Sequence, residues 1–211
     1  LIEIGGDNKS NLGANAILPV SIAVLRASSF HHKLPLYKYI SKIFGENREY
    51  KMPFPCFNIV NGGAHASNNL AIQEFMVIPK KENYKENLIE GVNIYHKLKE
   101  KIKENYGKTS VNIGDEGGFA PSINSINEVL ENILSVIDKD TFIGLDCASD
   151  YFYKNGNYKI EKKVFAKEQL VKFYKDLVEK YPIISIEDPF SEDDIEGWKM
   201  LGKELNNITI I

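Results

Sequence analysis

A chain of 211 residues that is 43% hydrophobic can bury one large core, with room for a small appended unit and little more. Its 29 acids against 26 bases leave a formal charge of −3, too balanced for a protein drawn to nucleic acid by charge alone. No run nears the roughly eighteen apolar residues of a membrane span. Leu1 also opens without a signal sequence, so a soluble, cytoplasmic chain with no membrane insertion is expected.

Residues 14–44 have helical spacing, carried by Ile17, Leu18, Ile22, Val24 and Leu25 and restarted after Pro35. Pro19 either marks the true start of the first helix or bends it. Met52-Pro-Phe-Pro breaks the chain and sets the expected domain boundary, dividing residues 1–52 from 53–211. From there the rhythm predicts a strand over 57–60, a loop over 61–73 and a strand over 75–78. A long helix over 84–106 should bury Leu88, Val92, Tyr95, Leu98 and Ile102. The lysines of 97–108 alternate with Glu100 and Glu104 at helical spacing, as on a solvated face.

Beyond an acidic loop come a helix over 124–137, a strand over 142–146 and a turn at Lys154-Asn-Gly-Asn. A helix over 167–180, a strand over 183–187, a helix over 193–205 and the start of a strand at 208 follow. Strand alternating with helix implies a parallel sheet with right-handed crossovers. A closed barrel and an open doubly wound sheet both fit this order. The absence of a Gly-x-Gly-x-x-Gly turn after the first strand, and of an intact phosphate loop, favours the barrel. Cys56 and Cys147, each beside a predicted strand, are expected as buried, reduced thiols rather than a disulfide or a zinc pair.

Three short apolar runs end in acids: Val111-Asn-Ile before Gly114-Asp-Glu116-Gly-Gly-Phe-Ala-Pro121, Phe142-Ile-Gly-Leu before Asp146, and Ile183-Ile-Ser-Ile before Glu187-Asp188. Acids at strand ends that open into glycine-rich backbone form a carboxylate site at a barrel mouth, where a ligand can approach closely. If strands 57–60 and 75–78 form a hairpin, Gln73 and Glu74 lie on the same rim, as does His65 in the connecting loop. Lys80 and Lys81 then fall on the opposite rim. Asp146 and Glu187 on neighbouring strand ends suit a hard divalent cation such as Mg²⁺.

These segments, with Asn8-Lys-Ser-Asn-Leu-Gly-Ala-Asn-Ala-Ile-Leu18, Asn61-Gly-Gly-Ala-His65, Gln73-Glu-Phe-Met76, Asp146-Cys-Ala-Ser149 and Ser185-Ile-Glu-Asp-Pro-Phe190, resemble the enolase family in order and spacing. The Asp188-Pro-Phe ending resembles the eukaryotic members more than the bacterial ones. The resemblance implies an α/β fold: a partial TIM-type (β/α)₈ barrel with an antiparallel second strand, preceded by the remainder of a small α+β capping domain. It implies Mg²⁺-dependent dehydration of 2-phosphoglycerate to phosphoenolpyruvate, with two Mg²⁺ per site in a complete protein that is a homodimer.

By the same resemblance Glu116 is the general acid, and His65 and Glu74 contact substrate or its leaving group. Asp146 and Glu187 ligate metal, Glu187 also lying against substrate. Two departures from the family pattern are Asp150-Tyr151 after the Asp-Cys-Ala-Ser segment and Pro19 in place of glycine. The chain reads as the middle half of such an enzyme, with the lysine base and the phosphate-gripping arginine expected beyond Ile211, so the chain alone is expected to be inactive. Two other readings stay open. One is a different carbon-acid lyase of the same superfamily; the other is a non-catalytic surface role in binding host proteins.

Overall fold

A computed structural model describes residues 1–6, 9–45 and 49–211, with the backbone alone at His65; Asn8 of the first family-like segment lies outside the described residues. The chain divides into two units, Leu1–Lys51 and Met52–Ile211. In the first, the short helix α1 (Ile2–Gly5) precedes α2 (Ala14–His31) and α3 (Leu36–Ile43). Pro19 lies inside α2, neither starting nor ending it. The helical spacing of α2 is not matched by burial, because Leu18, Ile22 and Val24 are all exposed.

The second unit is built on a five-stranded sheet in the order β1-β2-β3-β7-β8. Strand β1 (Phe57–Asn61) and β2 (Glu74–Pro79) form the antiparallel hairpin, and β3 (Thr141–Asp146) lies antiparallel on the other side of β2. From β3 onward the pairing is parallel, to β7 (Ile183–Glu187) and then β8 (Thr209–Ile210). Parallel neighbours require a crossover, and α6 (Lys167–Lys180) and α7 (Ile195–Glu204) provide it. A separate three-stranded sheet, absent from the expected order apart from its turn, joins β4 (Tyr153–Lys154), β5 (Asn157–Ile160) and β6 (Lys163–Phe165).

Alternation along the strands sets two unlike faces. Phe75, Val77, Ile143, Leu145 and Ile186 are buried among the helices, together with Ile94, Leu98, Leu130 and Tyr174. Each such side chain removed from water contributes about 2 kcal/mol. The alternate residues, Glu74, Met76, Asp146, Ser185 and Glu187, are only half-buried.

Two expectations are corrected here. Helix α4 (Tyr84–Tyr106), capped by Asn83 accepting from Glu86 N at 3.0 Å, buries Asn87, Gly91, Ile94, Leu98 and Ile102, and exposes Leu88 and Val92. The face is rotated because Gly91 admits the Phe57 ring: a Cβ there would lie 2.2 Å from it. Asn87 meanwhile accepts from Lys81 N at 2.7 Å. The run Val111-Asn-Ile is not a ladder strand either. It leaves a 3₁₀ turn at Lys108–Val111, and only isolated bridges, Ile113 to Phe119 and Phe119 to Val60, connect it to the sheet edge. Helix α5 (Ile126–Leu134), capped by Ser125, follows. Among the described residues no helix is long and apolar enough to cross a membrane.

Candidate active site

The ladder registers align four residues across the sheet. Asn61 pairs with Glu74, Glu74 with Asp146, and Asp146 with Glu187. Directly paired residues share a face, with strands about 4.8 Å apart, so three carboxylates stand in file at one end of the sheet. The hairpin puts Glu74 there because β2 begins where β1 ends. Lys80 and Lys81 lie beyond the other end, where Pro79 pairs with Thr141.

Glu116 reaches the file from the glycine-rich loop rather than from a strand end. Gly114 N donates to Gly118 O at 2.8 Å, folding the loop, and Phe119 is stitched to β1 through Asn61 N to Phe119 O at 2.8 Å and Phe119 N to Ile59 O at 2.9 Å. Gly118 approaches β1 so closely that a Cβ would lie 2.7 Å from the side-chain oxygens of Asn58 and Asn61. Buried Asn61 then works in both directions. Its Oδ1 accepts from Gly118 N at 2.9 Å, and its Nδ2 donates to Glu116 Oε2 at 2.8 Å. Asn58 Nδ2 donates to the same oxygen at 3.4 Å. Asn61 was not singled out by sequence reasoning, although its place two residues before Gly63 and opposite Glu74 in a hairpin marks it.

The file has no basic partner among the described residues, and its titration follows from that. Glu74 is pushed up from 4.5 to about 8, first by burial, then by its hydrogen bond to Glu116 and the charges of Glu116, Asp146 and Glu187. Asp146 is pushed up from 3.8 to about 6 by burial and then by the Glu187 charge, against the Ala148 amide that donates to it at 3.1 Å. Crowded carboxylates resist ionising together, so Glu74 keeps its proton at neutral pH.

Cys56, expected to be buried, is exposed, standing before β1 rather than in it, while Cys147 is buried; both are free thiols. Although the residue is exposed, partial desolvation of its thiol, then the charges of Glu187 and Glu74, raises the Cys56 pKa. His65 has its backbone in a 3₁₀ turn over Gly63–His65 in the connection between β1 and β2, and its side chain lies outside the described residues.

Among the described residues no group of three or more His, Cys, Asp and Glu side chains could hold a metal ion. The Asp146–Glu187 pair nonetheless fits a hard cation that takes one or two carboxylates and completes its shell with water or substrate oxygens. Its donors are oxygens only, and burial, then the neighbouring Glu187 charge, holds Asp146 above its ordinary pKa. Next to it Gln73 donates to Asp146 Oδ2 at 3.4 Å, while Gln73 Oε1 is buried without a hydrogen-bond partner.

A sheet that turns from antiparallel to parallel at its third strand, with acids filed at the carboxyl ends of β3 and β7, defines a variant of the β/α-barrel class. Residues 49–211 match the family model described as enolase, C-terminal TIM barrel domain, and residues 1–40 match enolase, N-terminal domain. The chain is 46% identical to the enolase of Methanocaldococcus jannaschii over 98% of its own length and 49% of that protein's. It is 47% identical to the enolase of Elusimicrobium minutum over 95% of its length and 48% of that protein's. The chain belongs to the enolase family. It spans about half the length of the curated relatives it matches, and membership implies a divalent metal cofactor.

Proposed function

We propose that the protein containing this chain is a glycolytic enolase, a lyase that dehydrates 2-phosphoglycerate to phosphoenolpyruvate with Mg²⁺ and runs the reverse reaction in gluconeogenesis. The observation that carries the reading is the in-register file of Glu74, Asp146 and Glu187, with Glu116 hydrogen-bonded beside it. Asp146 and Glu187 would hold Mg²⁺. Bound there, the cation supplies positive charge to the carboxylate of a substrate whose α-proton is being removed.

The chain's own groups account for the other half of the chemistry. A hydroxide is a poor leaving group unless protonated, and Glu74 keeps a proton at neutral pH that its hydrogen bond to Glu116, the proposed general acid, can deliver. Asn61 fixes the Glu116 carboxylate, so its orientation costs nothing at the moment of transfer. His65, in the connection between β1 and β2, is proposed to contact the substrate or its leaving group. Lys80 and Lys81 stand at the wrong end of the strands to act as base, which supports the expectation that residues 1–211 alone do not turn over. The complete protein is proposed to be a cytoplasmic homodimer. The test is to incubate the complete protein with 2-phosphoglycerate and Mg²⁺ and follow the enol double bond of the product by ultraviolet absorbance. Turnover that stops on chelation is expected; turnover indifferent to chelator, or none, would refute the proposal.

A further inference from the structure

Both strands of the proposed metal pair are left through a left-handed residue that is not glycine: Ala148, φ 44°, two residues after Asp146, and Asp188, φ 45°, next to Glu187. Side-chain-bearing residues seldom occupy that region, and where they do the surrounding structure has to hold them. The two departures are joined, Cys147 N donating to Glu187 O at 2.9 Å and Ser149 N to Asp188 O at 3.2 Å. Whatever fixes the backbone after Glu187 therefore fixes both carboxylates.

Three aromatic side chains from three elements hold it. The Tyr174 hydroxyl, from α6, donates to Pro189 O at 3.0 Å in a buried bond. The Tyr158 hydroxyl, from β5, accepts from Ser191 N at 3.2 Å and donates to Asp194 Oδ2 at 2.8 Å. Trp198 Nε1, from α7, donates to Ser191 O at 3.0 Å. Between them Phe190 is buried, its ring meeting that of Tyr158 edge-on at 5.3 Å. Phenylalanine would fill the volume of either fully buried tyrosine, so packing alone gives no reason for the hydroxyls. A buried hydroxyl is costly unless it is bonded, and these two spend their bonds on the segment just past Glu187.

We propose that Tyr158 and Tyr174 are positioning residues: by gripping the backbone of Pro189 and Ser191 they hold Asp146 and Glu187 in alignment for a divalent cation. This rests on the metal-pair reading above. The separate three-stranded sheet thereby acquires a task, since it delivers Tyr158 to the loop after β7.

The test titrates Mg²⁺ alone, by calorimetry, into the complete protein and its Tyr158→Phe, Tyr174→Phe and Tyr181→Phe variants, with thermal unfolding recorded for each. Tyr181 is the control, a buried tyrosine whose hydroxyl bonds Asn127 at 3.0 Å, away from the loop. Mg²⁺ affinity should fall about tenfold in the first two variants and stay unchanged in the third. Parent-like affinity in both Tyr158→Phe and Tyr174→Phe would overturn the proposal, as would an equal loss in Tyr181→Phe. If one variant fails to fold, the other decides; if both fail, the hydroxyls serve stability and the proposal falls. An unsubstituted protein that takes up no Mg²⁺ would instead refute the metal pair itself.

Discussion

Opposite ends of β2 and β3 carry the same acids in opposite circumstances. At one end Glu74 and Asp146 are paired across the ladder with no cation among the described residues, and both are held above the ordinary carboxylate range. At the other, Lys81 pairs with Asp138 and lies 3.6 Å from Asp140, and its hydrogen bond holds Asp138 below that range. A fold selected for stability alone would neutralise both ends. On the proposed function, the end that keeps its repulsion is the working rim of a barrel and the neutralised end its supporting rim.

The largest difference between the ends should appear in turnover. Glu116→Gln in the complete protein keeps the volume and the Asn61 contact but cannot relay the proton held at Glu74, so kcat should drop about a hundredfold or more with Mg²⁺ affinity near parent. A raised KM at unchanged kcat would make Glu116 a binding residue instead. Glu187→Gln should weaken Mg²⁺ binding by about a hundredfold while leaving the melting temperature close to parent, because an amide retains the hydrogen-bonding capacity but not the charge. Calorimetry on the variant decides it; parent-like affinity would remove Glu187 from the metal site.

Smaller effects are expected in the pH dependence of stability, with opposite signs at the two ends. Glu74 and Asp146 have raised pKa values in the folded chain, so the folded form retains protons that the unfolded chain has lost. Their contribution is full below their ordinary values of 4.5 and 3.8, and disappears as pH rises through about 8 and about 6. Asp138, lowered, contributes above its ordinary value of 3.8 and loses that contribution as pH falls below it. In chelator, melting temperature should therefore decline between pH 5 and pH 8, and Mg²⁺ should reverse the decline. A metal-free profile rising over that interval would contradict the charge assignment.

The smallest effect belongs to the supporting rim. Asp138 is 46% exposed on its side chain, so Asp138→Asn should cost at most about 1 kcal/mol and leave Mg²⁺ binding and turnover untouched.

Much of the working rim was legible in the residues. A hairpin between Phe57 and Ile78 requires Glu74 to share a rim with the end of β1, and apolar runs ending in Asp146 and Glu187 place the other two acids. What escaped were features set by close packing at single positions. Gly91 rotated α4 by admitting Phe57, and Gly118 let the acidic loop dock directly on Asn61, so no strand was needed before Glu116. The proton retained on Glu74 was also hidden, because it depends first on how far that carboxyl is buried, and spacing carries no burial. Exposed α2 shows the converse, with helical spacing and little burial behind it.

We infer that the file of Glu74, Asp146 and Glu187 retains protons on Glu74 and Asp146 that a bound cation would displace. Calorimetric titration of the complete protein with Mg²⁺ at about pH 7, midway between the Asp146 and Glu74 values, in buffers of differing ionisation enthalpy counts the protons released. Saturable binding with net proton release, lost in Glu187→Gln, is the predicted result. Binding without proton release, or release that survives Glu187→Gln, would contradict it.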